Sequence, residues 1–436
     1  MTVRHLSKRW WIAVVAAAVV VAAGSATLVI ARPWSDGPVT PFPDASTMAG
    51  DPDASASPSP ASPVDDQSPG SGGSPGGSPS PNAGEADRDQ GSWPMYGYDP
   101  ARTRFKPDAS LRPPFRVKWK FAAGSLLEFP PSIDGDRLFF TTLDGRIICL
   151  DAASGDVVWQ RKYGGKYASS PTVHDGVVYV TSLKGWLFAL DRETGEGIWR
   201  YRSDSPSESS PLIWGRWVIA GCWDGSVYAL DRFKERLQWR FRTGDKVTGS
   251  PALLDDRLVI GSYDGSVYCL NYRGKLLWQH RASRYVVGSD KFYATAALAY
   301  RTAYIGSIGG TFFALDLRTG NRRWSQGTDA YIYSSAAVWQ DRVFVGSYTS
   351  QLYCFDARNG RIRWRFPTGK PVSGAPAVID GVVYVSSFAK RTWALDARTG
   401  KELWRFGDGR YTPVAAGRSI LYLTGSQTLY ALVEKR

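Results

Sequence analysis

"ALDARTGKELW", residues 394–404, is a strand, a tight turn and a second strand. Close copies end at Trp159, Trp199, Trp239, Trp278, Trp324 and Trp364, spaced by roughly forty residues, the period of a propeller repeat. The full unit reads "VSGAPAVIDGVVYVSSFAKRTWALDARTGKELWRFG" over 372–407. Four short apolar runs rich in Val, Tyr, Trp and Leu are separated by Asp-Gly, a loop and Thr-Gly. That pattern predicts a four-stranded antiparallel meander. One meander cannot bury both of its faces, so the copies must stack side by side around an axis as the blades of a propeller.

The two ends of the repeat region complete the count. "YTPVAA" and "SILYLTGSQTLYAL" supply three strands at the C-terminal side, and "FRVKWKF" (115–121) is an orphan fourth strand with Trp119 in the motif position. Pairing them removes two free sheet edges and closes the ring. The tryptophans at 119, 159, 199, 239, 278, 324, 364 and 404 therefore predict an all-β, eight-bladed propeller over 93–436. Within the motif, Asp396 is placed to accept turn N–H groups, Gly400 to take positive φ, and Trp404 to lie between blades. The third copy, "ALDRFKERLQW", lacks the Thr-Gly, and the fourth, "CLNYRGKLLW", is one residue shorter. Both keep the tryptophan, as a packing role requires.

Ala-x-Asp-x-x-Thr-Gly-x-x-x-Trp resembles the tryptophan-docking motif of the quinoprotein-type (PQQ-like) β-propellers, and "WPMYGYDPARTRF" (93–105) resembles the lead-in segment of that family. The resemblance is closest in style to its non-catalytic, BamB-like members. It implies the fold and leaves two functions open, since the family holds both dehydrogenases and binding scaffolds. In the dehydrogenases it implies a quinone stacked between a tryptophan and a disulfide of adjacent cysteines, with calcium held by Glu, Asn and Asp. This chain has no Cys-Cys pair. Cys149, Cys269 and Cys354 occupy the repeat position of Ala394, and Cys222 that of Ser262, which reads as small buried thiols in separate blades. His174 and His280 have no evident metal or nucleophile partner, the Asp-Gly pairs at 144, 224 and 264 fall where hairpin turns belong, and no phosphate loop is present. The expectation is no catalytic residue, no metal and no cofactor, with PQQ and calcium only under the dehydrogenase alternative.

The chain before the ring divides in two. Residues 10–31, "WWIAVVAAAVVVAAGSATLVIA", are uncharged and long enough to cross a bilayer; Arg4, Lys8 and Arg9 before them put residues 1–9 in the cytoplasm. The run either remains as a signal anchor or is cut as a signal peptide after Gly24-Ser25-Ala26, leaving a secreted protein; its continuation to Ala31 favours the anchor. Both readings place the ring outside the cytoplasm. Residues 32–92 are a Pro/Ser/Gly/Asp tract too poor in large apolar residues to fold, a tether spanning on the order of 40 Å. With no cysteine before Cys149, a lipidated N-terminal cysteine is not expected.

Whole-chain net charge is +13, but the tether is acidic, and residues 93–436 hold 48 basic against 31 acidic residues. This predicts anionic or protein partners at the envelope rather than nucleic acid, and a monomer. Loops after the second and fourth strands of each blade share one face. There one repeat position reads Leu143, Leu183, Trp223, Tyr263, Ile308, Tyr348 and Phe388, beside Lys166, Lys246, Lys291, Lys370, Lys390, Arg391 and Arg410. These residues either line a binding mouth or pack loops onto the ring. The 46-residue step from Trp278 to Trp324 places its surplus in 281–293, making Tyr285, Lys291 and Tyr293, with Tyr331 and Tyr333, a second candidate patch. An envelope sensor is a further alternative, needing a separate output chain.

Overall fold

The computed structural model describes residues 91–282 and 290–435. The expected anchor at 10–31, nearly all of the tether and Tyr285 lie outside the described residues. No helix among the described residues is long and apolar enough to cross a membrane.

Eight four-stranded antiparallel sheets follow one another. Blade I comprises Ser132–Asp134, Arg137–Thr141, Ile147–Asp151 and Val157–Arg161, from the axis outward. The inner strands of blades II to VII begin at Thr172, Leu212, Ala252, Ala297, Ala337 and Ala377. Blade VIII joins Val414–Ala416, Leu421–Thr424 and Thr428–Glu434 to the outer strand Phe115–Ala122, paired from Phe115 opposite Glu434 to Ala122 opposite Thr428 with a bulge between Val117 and Trp119. The ring is thus closed by the complementary strands, as the repeat count requires. Second and third strands are buried along nearly their whole length because a neighbouring blade covers each face; outer strands alternate because solvent covers one side.

The tryptophan of one blade docks on the Asp-turn of the next. Trp159, Trp199, Trp239, Trp278 and Trp324 donate Nε1–H to the carbonyls of Arg192, Arg232, Tyr272, Leu317 and Ala357 at 2.8–3.0 Å. Each ring also lies against the turn itself. A Cβ built at Gly195, Gly360 or Gly400 would stand 2.5–2.7 Å from the ring of Trp159, Trp324 or Trp364. The glycine is therefore required twice, for its φ (+69° to +75° at these three) and for the ring above it. Asp396 Oδ1 accepts the N–H groups of Arg398 and Thr399, which fixes the turn beneath the ring. Trp404 has no following turn and instead meets Phe115 edge-on at 5.4 Å.

Residues 91–106 fill the centre of the ring. Their carbonyls accept from the inner strands of six blades in turn: Trp93 from Ile133, Pro94 from Val173, Pro100 from Leu253, Ala101 from Leu298, Thr103 from Val338 and Arg104 from Val378, all at 2.8–2.9 Å. Phe105–Lys106 then pairs in parallel with Ala377–Ile379. Inner strands present unpaired edges to the axis, and this segment satisfies them. Arg102, fully buried, donates to the carbonyls of Pro251, Pro211, Ser210 and Tyr96. Burial and the adjacent Arg104 lower its pKa to about 9. Gly91 reaches Gly417 and Arg418 in the first hairpin of blade VIII, and Arg112 pairs with Asp380 in the first hairpin of blade VII. The plug thus enters and leaves on the face of the first and third hairpins.

Candidate functional site

The opposite face carries the loops after the second and fourth strands, and they are tied together by their backbones. Leu183, Trp223, Tyr263, Ile308, Tyr348 and Phe388 each donate N–H to a carbonyl of the adjacent interblade loop (Lys166, Pro206, Lys246, Lys291, Tyr331 and Pro371) at 2.8–3.0 Å. The repeat position singled out in the sequence therefore does latch loops to the ring, while its side chains remain half-buried at the surface.

From blade IV to blade VIII these side chains form a continuous arc. Ring centroids run Tyr263–Tyr293 6.4 Å, Tyr293–Tyr333 5.2 Å, Tyr333–Tyr348 5.0 Å, Tyr348–Phe388 6.0 Å and Phe388–Tyr411 5.8 Å. Tyr331, exposed, joins at 6.1 Å from Tyr348. Basic side chains lie on these rings: Lys246 Nζ is 4.5 Å from the centre of Trp223, Lys291 5.5 Å from Tyr263, and the Arg410 guanidinium 5.3 Å from both Phe388 and Tyr411. Lys166, Lys370, Lys390 and Arg391 are exposed around them. Of the candidate face residues, the arc unites Tyr263, Tyr293, Tyr331, Tyr333, Tyr348 and Phe388; Trp223 stands apart under Lys246, and Lys166 touches no ring of the set.

Inside the arc, at the axis, lies a cavity of ≈ 70 Å³ floored by Tyr96 of the plug. Its wall holds Glu128, which leads into blade I, and Glu208, which leads into blade III. Burial raises the carboxyl of Glu208 to about 7, helped by Glu128, although Tyr293 Oη donates to Glu208 Oε2 at 3.0 Å and pulls the other way. Burial also raises Glu128, against the attraction of Arg410. The Glu208 carboxylate in turn pushes the Tyr293 phenol well up. Beneath, a ring of hydroxyls links successive blades. The N–H groups of Ser170, Ser210, Ser250 and Thr295 donate to the hydroxyls of Ser210, Ser250, Thr295 and Ser335 at 2.9–3.0 Å.

Sequence reasoning missed the two glutamates and the hydroxyl ring. The signal was available: Ser170, Ser210, Ser250, Thr295 and Ser335 share one repeat position, and Glu128, Glu208, Tyr293, Tyr333 and Arg410 share another, two residues earlier.

A quinone and calcium centre does not fit these residues. Cys149, Cys222, Cys269 and Cys354 are buried free thiols in four blades, with Cys149, Cys269 and Cys354 facing Trp159, Trp278 and Trp364 across strand pairs. Burial pushes Cys149, Cys269 and Cys354 up to about 12. Among the described residues no three His, Cys, Asp or Glu side chains gather to hold a metal ion. The axial cavity is several-fold smaller than the roughly 300 Å³ at which cofactor pockets begin.

The closed ring of eight four-stranded blades, docked by tryptophans on Asp-turns, defines a PQQ-like β-propeller. The family model described as outer membrane protein assembly factor BamB matches residues 115–326 and 309–434, and the chain belongs to that family. Solved structures agree on the fold. BamB from Moraxella catarrhalis is 19% identical with a TM-score of 0.64, over 73% of this chain and 100% of that one. A europium-containing methanol dehydrogenase is 14% identical with a TM-score of 0.68, over 80% and 99%. Quinohemoprotein alcohol dehydrogenase from Comamonas testosteroni is 14% identical with a TM-score of 0.68, over 81% and 82%. No curated protein matches by sequence.

Proposed function

We propose that this chain is a non-catalytic binding or assembly scaffold of the cell envelope, held at the outer side of the membrane by residues 10–31 and presenting its aromatic face to a protein partner or an anionic polymer. The observation that supports it best is the aromatic arc with basic side chains stacked on it, on a rigid ring whose axis is closed. Aromatic and arginine-rich surfaces with a cationic rim are what protein interfaces and acidic polymers select. The plug gives the reading a direction. Gly91, at the ring end of the tether, lies on the hairpin face, opposite the mouth.

Crosslinking in whole cells, with Tyr348→Ala and Phe388→Ala as controls, tests the proposal. The scaffold reading expects one partner captured by the parent and lost in both variants; capture that ignores the arc would refute the assignment of the face. An acidic wall polymer as partner should bind more weakly as salt rises above about 0.15 M, where charge attractions are screened within about 8 Å. Dye reduction by alcohols or sugars after adding quinone and calcium would establish the dehydrogenase instead.

A further inference from the structure

The face is basic, yet its centre is acidic, and the acids have no counter-charge in direct contact. Neither Glu128 nor Glu208 forms an ion pair among the described residues, although Lys246 and Arg410 are near enough to bias them. Those two cations lie on Trp223, Phe388 and Tyr411 instead. One oxygen of Glu208 is taken by Tyr293, the Trp223 indole also favours its carboxylate, and no described hydrogen bond reaches Glu128. Two carboxyl groups thus face a small cavity lined by Tyr96, Phe129, Tyr293 and Tyr333. Buried carboxylates without a counter-charge are costly, and a phenol-lined recess is the surrounding that organic cations favour. At ≈ 70 Å³ the recess holds a head group and not a whole ligand, so the remainder must lie across the surrounding face.

From this geometry we infer that the axial recess is a receptor for an alkylammonium head group, the side chain of a lysine presented by a protein partner, clasped between Glu128 and Glu208. The inference rests on the scaffold reading and specifies its partner. Among the groups facing Glu208, Glu128 is the other carboxyl. The Tyr263, Tyr293, Tyr333 and Tyr411 phenols are all raised, by burial and, for Tyr293, first by Glu208 itself. At the floor, burial raises the Tyr96 phenol but Arg104 over its ring and the bond to Ser335 more than offset this. Lys246 and Arg410 complete the set. An arriving ammonium favours the carboxylate and expels the proton that Glu208 holds below about pH 7, so binding should release protons near pH 7 and strengthen from pH 6 to 8.

Calorimetry on the full-length chain in nonionic detergent tests this with N-acetyl-lysine methylamide as probe. Its norleucine counterpart, which has the same stem without the charge, should bind at least about tenfold more weakly, a difference of 1.4 kcal/mol. Repeating the titration in buffers of different ionisation enthalpy should reveal the released proton, and Glu208→Gln should abolish that release while weakening the lysine probe about tenfold. Equal binding of the two probes overturns the inference, as does a Glu128→Gln/Glu208→Gln chain that binds lysine as the parent does. The probe contrast needs no variant, so a substitution that fails to fold does not shelter the idea. If the lysine probe fails while cells still yield a partner dependent on Tyr348, the receptor falls and the scaffold stands; quinone-dependent turnover would remove the scaffold itself.

Discussion

Each glycine under a docked tryptophan should be coupled to that tryptophan, and the junction of blades V and VI gives the clearest test. Trp324 is 8% exposed, donates to Ala357 O at 3.0 Å, and has Tyr304, Phe312 and Phe355 within 6.1 Å of its ring centre. Truncating it to alanine should cost about 3–5 kcal/mol. Gly360 sits below at φ +73°, and a Cβ there would stand 2.5 Å from Trp324 Cε3. Gly360→Ala then meets two separate penalties. The left-handed backbone costs a residue with a Cβ about 1–2 kcal/mol, and overpacking against the ring adds about 1–3 kcal/mol.

Only the second penalty depends on Trp324. In the Trp324→Ala background, Gly360→Ala should therefore cost just the backbone share. The double variant should be more stable than the sum of the singles predicts, by about 1–3 kcal/mol. Urea midpoints followed by far-ultraviolet circular dichroism, compared at equal m-value, read this directly. Additivity within about 0.5 kcal/mol would refute the reasoning and leave the glycine as a turn residue alone.

Three other outcomes follow from buried groups elsewhere. Arg102→Met should lower stability by at least about 3 kcal/mol in the same urea assay, because it strands the carbonyls of Tyr96, Ser210, Pro211 and Pro251 at the axis. The thiols of Cys149, Cys269 and Cys354 should resist a thiol-specific dye at pH 8 until the chain is unfolded, since burial and a pKa near 12 leave almost no thiolate. For Glu208 the folded pKa of about 7 lies above its unfolded value of 4.5, so the native state holds the extra proton between those limits. Stability from this group is complete below pH 4.5 and is lost as pH rises through 7. Glu208→Gln should therefore raise the thermal midpoint at pH 8 and leave it nearly unchanged at pH 4.5.

The fold was legible because packing repeats. Six of the eight junctions set a flat ring over a hydrogen-bonded turn and a glycine, so Asp, Gly and Trp recur at nearly fixed spacing and can be counted. Blade III shows the limit: Glu235 replaces the glycine at φ +55°, and Trp199 still reaches the Arg232 carbonyl at 2.8 Å. The plug was legible only as a family-like segment. Nothing in "WPMYGYDPARTRF" announces that its carbonyls will meet six inner strands, since those partners lie up to 274 residues away and are joined through backbone atoms that carry no residue code. The basic rim was found by composition, but the acidic recess was hidden by it, because two glutamates alter a net charge very little and their effect comes from where the ring closes.

That contrast also indicates where variation is allowed. One repeat position near the mouth is occupied in order by Glu128, Ala168, Glu208, Thr248, Tyr293, Tyr333, Ser373 and Arg410. Two residues further on, Ser210, Ser250, Thr295 and Ser335 each receive the N–H of the preceding blade's equivalent residue. The outer position has no such duty. Six of the eight, Glu128, Glu208, Thr248, Tyr293, Tyr333 and Ser373, line the cavity, so a change there changes what the mouth meets. A repeat protein acquires a site by losing its symmetry at the positions the ring does not need. Here the break is ordered around the axis: acids at blades I and III, phenols at V and VI, and a cation at VIII.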